Sequence, residues 1–414
     1  MIITARRRWS LAVPALLAVS LVAPLEAGTP AQARTTDAVI AAMSPAAQAS
    51  LLQPLRRLAG LLDTQGRTAW SSSYAGVEID APNDAVDLFT TDAADGQALL
   101  SAAGRITPAA QWRRVRLRRG AYSRVALDRA AREILTAPGH SQVRAVSVAA
   151  DGSGLVVDAD GGASPTRMVP PALGVALDVR PAPTRSVKSW ADAKWHDSTP
   201  FIGGDVLTAN GYGHCTAGLP AIRRSDRTPV VITASHCFAP GQRIYTEAGT
   251  TGAFGNGRIG NYVGTVGPRN REWDAEPLTG ANNNADESDT TGWKPLSSVG
   301  YSYVGDYVCH DGAASFYLHH PTPCGIKVTD GDIWFAIGAR MARGVEGIDV
   351  RTGWGCHNGD SGATVFAGEP NGRRQARGII SSGGLDGTPD QKRVDWTEAV
   401  DIFASFGLEL NPHV

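Results

Sequence analysis

Between residues 180 and 200 the chain changes character, and this break limits its fold more than any single motif. Pro181, Pro183, Thr184 and Ser186 lead into a polar run from Asp192 to Thr199, the composition of an accessible linker. All five cysteines follow it, so an α+β, cysteine-free half precedes a cysteine-bearing one. An odd count leaves at least one cysteine unpaired within the chain. With 414 residues, one to three domains are expected. The 47 glycines and 25 prolines suit the many turns of an all-β second half. Lys+Arg is 39 against Asp+Glu 40, a net charge of -1, so no overall basic excess points to nucleic acid.

The first 33 residues read as a signal peptide. Arg6-Arg7-Arg8 is a basic start, Leu11 to Val22 an apolar stretch interrupted by Pro14, and Ala31-Gln32-Ala33 a cleavage site before Arg34; Leu25-Glu26-Ala27 is a second candidate. The stretch is short of the ~20 residues a membrane span needs. The arginine run also suits the twin-arginine route. Such a segment directs the chain to a secreted, extracellular location, where disulfides persist.

Residues 34–66 carry helical spacing in Ala41, Leu51, Leu52, Leu55, Leu58 and Leu61. Val77, Ile79, Val86 and Leu88 alternate around Pro82-Asn83-Asp84, which reads as a hairpin. Ala93 to Ala103 and Ser123 to Leu135 are expected helices, the second with Ser123 as N-cap. Val115 and Leu117 form a strand, and Val143 to Val148 with Leu155 to Val157 a second hairpin. Arg113, Arg114, Arg116, Arg118 and Arg119 cluster here; Arg114, Arg116 and Arg118 share one strand face. Without interleaved aromatics this is a solvated or docking face rather than a nucleic-acid site. After the linker, Val230 to Thr233, Ile259 to Val266 and Ile333 to Ile337 are β-type runs, and Trp396, Val400, Phe403 and Phe406 suggest a terminal helix.

Three stretches of the second half carry residues suited to chemistry. The apolar run Pro229 to Thr233 ends in Thr233-Ala234-Ser235-His236-Cys237, so a strand would hold His236 rigidly. Glu272-Trp273-Asp274-Ala275 places an acid beside a large aromatic, where a buried carboxylate could orient an imidazole. Gly355-Cys356-His357-Asn358-Gly359-Asp360-Ser361-Gly362-Ala363 sets a serine on a glycine turn, where backbone N–H groups can approach a developing oxyanion. Asp286 and Asp289 are rival acids, but the polar run Asn282 to Thr291 reads as an exposed loop. His310 and His319-His320 read as surface histidines, and Asp330-Gly331-Asp332 as a turn rather than a calcium loop.

The motifs T-A-S-H-C, W-D-A and G-D-S-G, in the order His, Asp, Ser, resemble those of the chymotrypsin-like serine peptidases. Ile202-Gly203-Gly204-Asp205, His214-Cys215-Thr216-Ala217-Gly218, Gly305-Asp306-Tyr307-Val308-Cys309 and Pro323-Cys324-Gly325 resemble the secreted bacterial branch, the streptogrisins and α-lytic protease. The resemblance is specific over about 201–410 and only suggestive before it. It implies an all-β catalytic unit, residues 196–414, of two six-stranded antiparallel β-barrels with a C-terminal helix. Residues 34–195 would be an α+β pro-region that assists folding and then inhibits. It further implies a monomer that needs no cofactor or metal and whose partners are polypeptide substrates and its own pro-region.

The same resemblance assigns roles. Ser361 would be the nucleophile, His236 the general base and then acid, and Asp274 the orienter of the imidazole. The N–H groups of Gly359 and Ser361 would form the oxyanion hole. Gly378-Ile379-Ile380-Ser381-Ser382-Gly383 resembles the substrate strand: Ser381 would support Asp274, and the backbone of Ser382 and Gly383 would pair with an extended peptide. Cys215–Cys237 and Cys309–Cys324 would be disulfides, leaving Cys356 over. His310 stands where relatives carry an arginine that pairs with the aspartate before the serine, so a His310–Asp360 pair is expected to vary with pH. Ala363 replaces a second glycine. No carboxylate stands about six residues before Ser361, so an apolar rather than basic substrate residue is expected. The function that follows is a secreted serine endopeptidase made as a zymogen; the alternative is a peptidase-fold binding protein with little or no activity.

Overall fold

The computed structural model describes residues 36–106, 112–137, 140–160, 173–183, 185–186, 197–247, 258–280, 282–289, 292–318, 320 and 322–411. The expected signal segment, His319 and most of the linker holding the expected boundary at residues 195 and 196 lie outside them. The described residues form one compact unit. Among the described residues no helix is long and apolar enough to cross a membrane.

Before the linker, the helices Asp37–Ala42, Pro45–Ala69, Ala93–Gly104 and Arg124–Thr136 alternate with strands β1 (Tyr74–Asp80), β2 (Ala85–Thr90), β3 (Val115–Arg119), β4 (Val143–Val148), β5 (Leu155–Ala159) and β6 (Leu177–Pro181). The long helix begins where Ser44 accepts from the Ala47 N–H at 3.3 Å with Pro45 at its first position, both favourable at a helix start. Its buried face, Leu52, Leu55, Leu58 and Leu62, packs on Val77, Ile79, Val86 and Leu88 of β1 and β2. Ser123 occupies the N-cap position of Arg124–Thr136 but makes no side-chain cap bond. Arg116 and Arg118 of β3 are matched from the same sheet, Arg116 by Asp80 and Asp87 and Arg118 by Asp87, and Arg114 just before β3 pairs with Asp84 in the β1–β2 turn.

After the linker strand β7 (Arg185–Ser186) come β8 (Phe201–Gly203), β9 (Val206–Thr208), β10 (His214–Thr216), β11 (Pro220–Arg223), β12 (Pro229–Ala234), β13 (Arg243–Glu247), β14 (Ile259–Val266) and β15 (Ala275–Gly280). Then follow β16 (Asn283–Asp289), β17 (Gly292–Val299), β18 (Tyr307–His310), β19 (Cys324–Ile337), β20 (Arg340–Asp349), β21 (Thr364–Gly368), β22 (Arg374–Gly384) and β23 (Arg393–Glu398). The helix Ala399–Phe406 and β24 (Leu408–Leu410) close the chain.

These strands make an all-β body with two cores. The first sheet runs β10-β9-β13-β14-β15-β12-β11-β24 and is antiparallel throughout; β24 returns from the terminal helix to add to β11. The second closes on itself: β19 pairs β20, β20 pairs β23, β23 pairs β22, β22 pairs β21, β21 pairs β18 and β18 pairs β19, all antiparallel. That ring is a six-stranded barrel, filled by Val308, Ile326, Val328, Val345, Ile380 and Trp396. Strand β4 pairs antiparallel with β19, Val146 opposite Trp334, so the hairpin before the linker extends the barrel's sheet.

Two local expectations fail. The polar run at 282–289 is not an exposed loop: β16 pairs with β17 and, in parallel, with β8, and Asn283, Asp286 and Glu287 are buried. The polar groups find partners there, as when Asn283 donates to Val230 O at 3.0 Å and Arg374 to Glu287 at 3.2 Å. Asp330-Gly331-Asp332 is not a turn but an irregular, bulged segment within β19. Its Asp332 is buried between Arg124 and Arg343.

Candidate active site

One register decides where the histidine and the acid lie. Strands β12 and β15 pair antiparallel with Ala234 opposite Ala275. The residues just past the ends of the two strands, Ser235-His236 and Asp274, are therefore neighbours, and the Ser235 N–H donates to Asp274 O at 2.8 Å. The turn before β15 is shaped by Asn270, whose side-chain oxygen accepts from the N–H groups of Glu272 and Trp273. Asp274 itself sits at φ +40°, in the left-handed region that non-glycine residues enter rarely and at a cost.

Ser361 comes from the other body, on the loop before β21. Its carbonyl accepts from the Thr216 N–H at 2.8 Å, and Thr216 Oγ1 donates to Gly359 O at 2.7 Å. Strand β10 of the first sheet thus holds the serine loop of the second. Gly359 takes φ +106° and Gly362 φ +90°; a Cβ at Gly362 would stand 2.2 Å from Thr233 Oγ1. Both turns need glycine. Among the described residues the Gly359 N–H has no acceptor.

The three side chains meet across this junction. His236 Nδ1 lies 2.7 Å from Asp274 Oδ2, and His236 Nε2 lies 2.9 Å from Ser361 Oγ. Asp274 is fully buried and His236 nearly so. Burial alone would raise the Asp274 carboxyl; the facing His236, then Arg340 and Ser235, outweigh it and hold the group below the usual carboxylate range. The carboxylate therefore stays ionised beside the imidazole at neutral pH, and the imidazole is aimed at the serine oxygen.

The support of Asp274 differs from expectation. Ser381 Oγ is buried without a hydrogen bond. Asp274 Oδ1 instead accepts from Ser235 Oγ at 2.9 Å and from Arg340 Nη2 at 2.7 Å, while Arg340 Nη1 donates to Ser235 Oγ at 3.0 Å. Ser235 lies inside the histidine motif and was open to this reading. Arg340, at the tip of the β19–β20 hairpin, carries no local signal.

The expected His310–Asp360 pair is absent. His310 is fully buried rather than superficial; its Nδ1 accepts from the Gly312 N–H at 3.0 Å and its Nε2 donates to Gly355 O at 2.8 Å. Both nitrogens are thus used by backbone, which favours the neutral ring, and burial lowers its pKa. Asp360 accepts from Ser315 Oγ, at 2.6 Å, and from the N–H groups of Ser315 and His357. His320 is partly buried, its Nδ1 2.6 Å from His357 Nε2. The disulfides Cys215–Cys237 and Cys309–Cys324 are formed, and Cys356 is buried outside any disulfide, its thiol 3.7 Å from Ser382 O. Ala363 is buried in the barrel core. Among the described residues no group of three or more His, Cys, Asp or Glu side chains is placed to hold a metal.

The open edge of β22 is occupied. Strand β21 covers this strand as far as Ile379. Beyond it, Gly383 and Gly384 pair antiparallel with Ser186 and Arg185 of β7. Ser382 is held by β23, opposite Asp395, and its hydroxyl donates to that carboxylate.

No family model matches the chain, and no curated protein matches it. Among solved structures it is similar to the Nocardiopsis protease, with 21% identity, a TM-score of 0.38 and coverage of 51% of this chain and 98% of that one. It is also similar to Thermobifida fusca protease A, with 19% identity, a TM-score of 0.39 and coverage of 51% and 98%. For Cellulomonas bogoriensis chymotrypsin the values are 22%, 0.38, 51% and 97%.

Proposed function

We propose that the chain is a secreted serine endopeptidase made with an N-terminal signal segment and pro-region. The observation that carries the proposal is His236 standing between Asp274 and Ser361 at 2.7 and 2.9 Å, on elements of two different sheets. Ser361 Oγ attacks the scissile carbonyl as its proton passes to His236 Nε2. Asp274 holds the Nδ1 proton, which fixes the tautomer, and stabilises the imidazolium. The N–H groups of Gly359 and Ser361 receive the oxyanion, a contribution of ~10²–10³ in rate per donor in comparable sites. His236 then protonates the leaving amine, and water resolves the acyl-enzyme by the reverse steps.

The pairing of Arg185–Ser186 with Gly383–Gly384 supports the inhibitory half of the pro-region reading. An extended segment of the chain's own lies where a substrate would add to β22. The interlocking of β4 with β19 and the buried Arg56–Asp306 pair support the folding half, because the barrel's surface is completed by residues that precede the linker. The triad, the substrate strand and the removal of the pro-region, residues 34–195, all belong to this one reading.

A mixed peptide library incubated with purified, processed protein and with its Ser361→Ala variant tests the proposal. Cleavage by the parent and none by the variant is expected, and the cut sites report specificity. A parent without cleavage after verified removal of residues 34–195 would leave only a peptidase-fold binding protein.

A further inference from the structure

We infer that Arg340 is a positioning residue of the triad, holding Asp274 in place and offsetting its charge; this rests on the peptidase reading proposed above. Three observations carry it. Asp274 is fully buried and must satisfy two carboxylate oxygens inside the protein. Oδ2 is taken by His236, and Oδ1 by Ser235 and Arg340. The hydroxyl of Ser381 is buried but bonds to nothing, so Arg340 performs the support that serine was expected to give.

A guanidinium differs from a hydroxyl in two ways. It bridges Asp274 Oδ1 and Ser235 Oγ with two nitrogens of one rigid plane, which fixes the carboxylate's rotation. It also brings a permanent positive charge. When His236 takes the serine proton, the row becomes Arg340 positive, Asp274 negative, His236 positive. The carboxylate's pull on the imidazolium is then shared with the arginine. Among the described residues, the other charged or titratable groups beside this row include Arg269 and Arg271, which line the same cavity of about 440 Å³ as His236 and Arg340, and Glu276 of β15, which accepts from Arg269 at 2.9 Å. Arg340 alone among these arginines bonds to Asp274. It follows directly on the hairpin turn Gly338-Ala339, and strand β19 of that hairpin is clasped by β4 three residues before its tip.

The test is the pH profile of kcat/KM for the processed enzyme, with active enzyme counted by phosphonylation of Ser361. Arg340→Gln is expected to move the acidic limb to higher pH by roughly half to one pH unit, the effect of one charge a few ångströms away in a partly solvated site. Arg340→Lys, which keeps the charge, is expected to hold the limb near the parent position. A limb unmoved in Arg340→Gln would overturn the inference, as would a limb displaced equally in both variants. Should Arg340→Gln not accumulate as folded enzyme, Arg340→Met and the lysine variant decide by the same criterion. A parent that neither cleaves peptides nor takes up the phosphonate refutes the peptidase reading instead, so the two failures are distinguishable.

Discussion

Ala234 faces Ala275 across β12 and β15, and this single pair brings His236 against Asp274. A slip of one residue would turn every side chain of β12 to the opposite face of its sheet. The geometry makes the ring's tautomer depend on Asp274, whose Oδ2 receives the Nδ1 proton. Asp274→Asn is therefore expected to lower kcat by ~10³–10⁴ while leaving KM within a few-fold, because the amide presents a donor where an acceptor is needed. Steady-state kinetics on one cleaved peptide checks this. A loss of only a few-fold would show that the acid lies elsewhere.

Arg56 is a buried polar tie between the segment before the linker and the barrel. Its Nε lies 2.8 Å from Asp306, its Nη2 donates to Tyr307 O at 2.8 Å and its Nη1 to Gly368 O at 3.1 Å, all out of water. Arg377 approaches the same carboxylate at 3.1 Å, so removal of Arg56 leaves Asp306 only half compensated. In the full chain carrying Ser361→Ala, Arg56→Ala is expected to lower unfolding stability by roughly 2–4 kcal/mol. Urea unfolding of the two proteins measures it.

Expression without residues 34–195 is expected to yield little active enzyme. That segment supplies β4 to the edge of β19 and covers Tyr303 and Tyr307 with the helix Pro45–Ala69. Counting Ser361 sites labelled per milligram, with and without the segment, checks this expectation. Equal yields would remove the folding role and leave the catalytic reading intact.

Glu276 gives the first sheet a pH dependence. Burial pushes its carboxyl from 4.5 up to about 7, although Arg269 bonds to it. The folded state then holds a proton that the unfolded chain releases. The associated stability is fully present below pH 4.5 and is lost as pH rises towards about 7. At ~1.4 kcal/mol per unit the full change is roughly 3 kcal/mol. Glu276→Gln is expected to flatten that part of the stability profile, read by unfolding at pH 5 and pH 8. A parent and variant of equal slope would contradict it.

Most of the site was legible in short motifs because each motif is local: a strand ending in His236, a turn around Ser361, an acid beside Trp273. The terminal helix was also visible in its periodicity, and β22 in the resemblance of Gly378–Gly383 to a substrate strand. What escaped depends on contacts between distant segments. Arg340 reaches Asp274 from a hairpin tip, and nothing near Ile337-Gly338-Ala339 announces that role. Ser315, not His310, holds Asp360, because the short helix Ala313–Tyr317 after β18 packs back over the serine loop. The run Asn282 to Thr291 is polar enough by composition to read as exposed, yet Asn283 and Glu287 are buried against partners far along the chain. Asp332 likewise looked like a turn residue until Arg124 and Arg343 surrounded it.

The most direct measurement is the mass of the processed protein after exposure to a phosphonylating serine reagent, with the modified residue located by peptide mapping. One adduct, on Ser361, is expected in the parent, and none in His236→Ala at matched time, because the hydroxyl is nucleophilic only with its base 2.9 Å away. An unlabelled parent, or a label of equal rate in the histidine variant, would contradict a triad built on His236, Asp274 and Ser361.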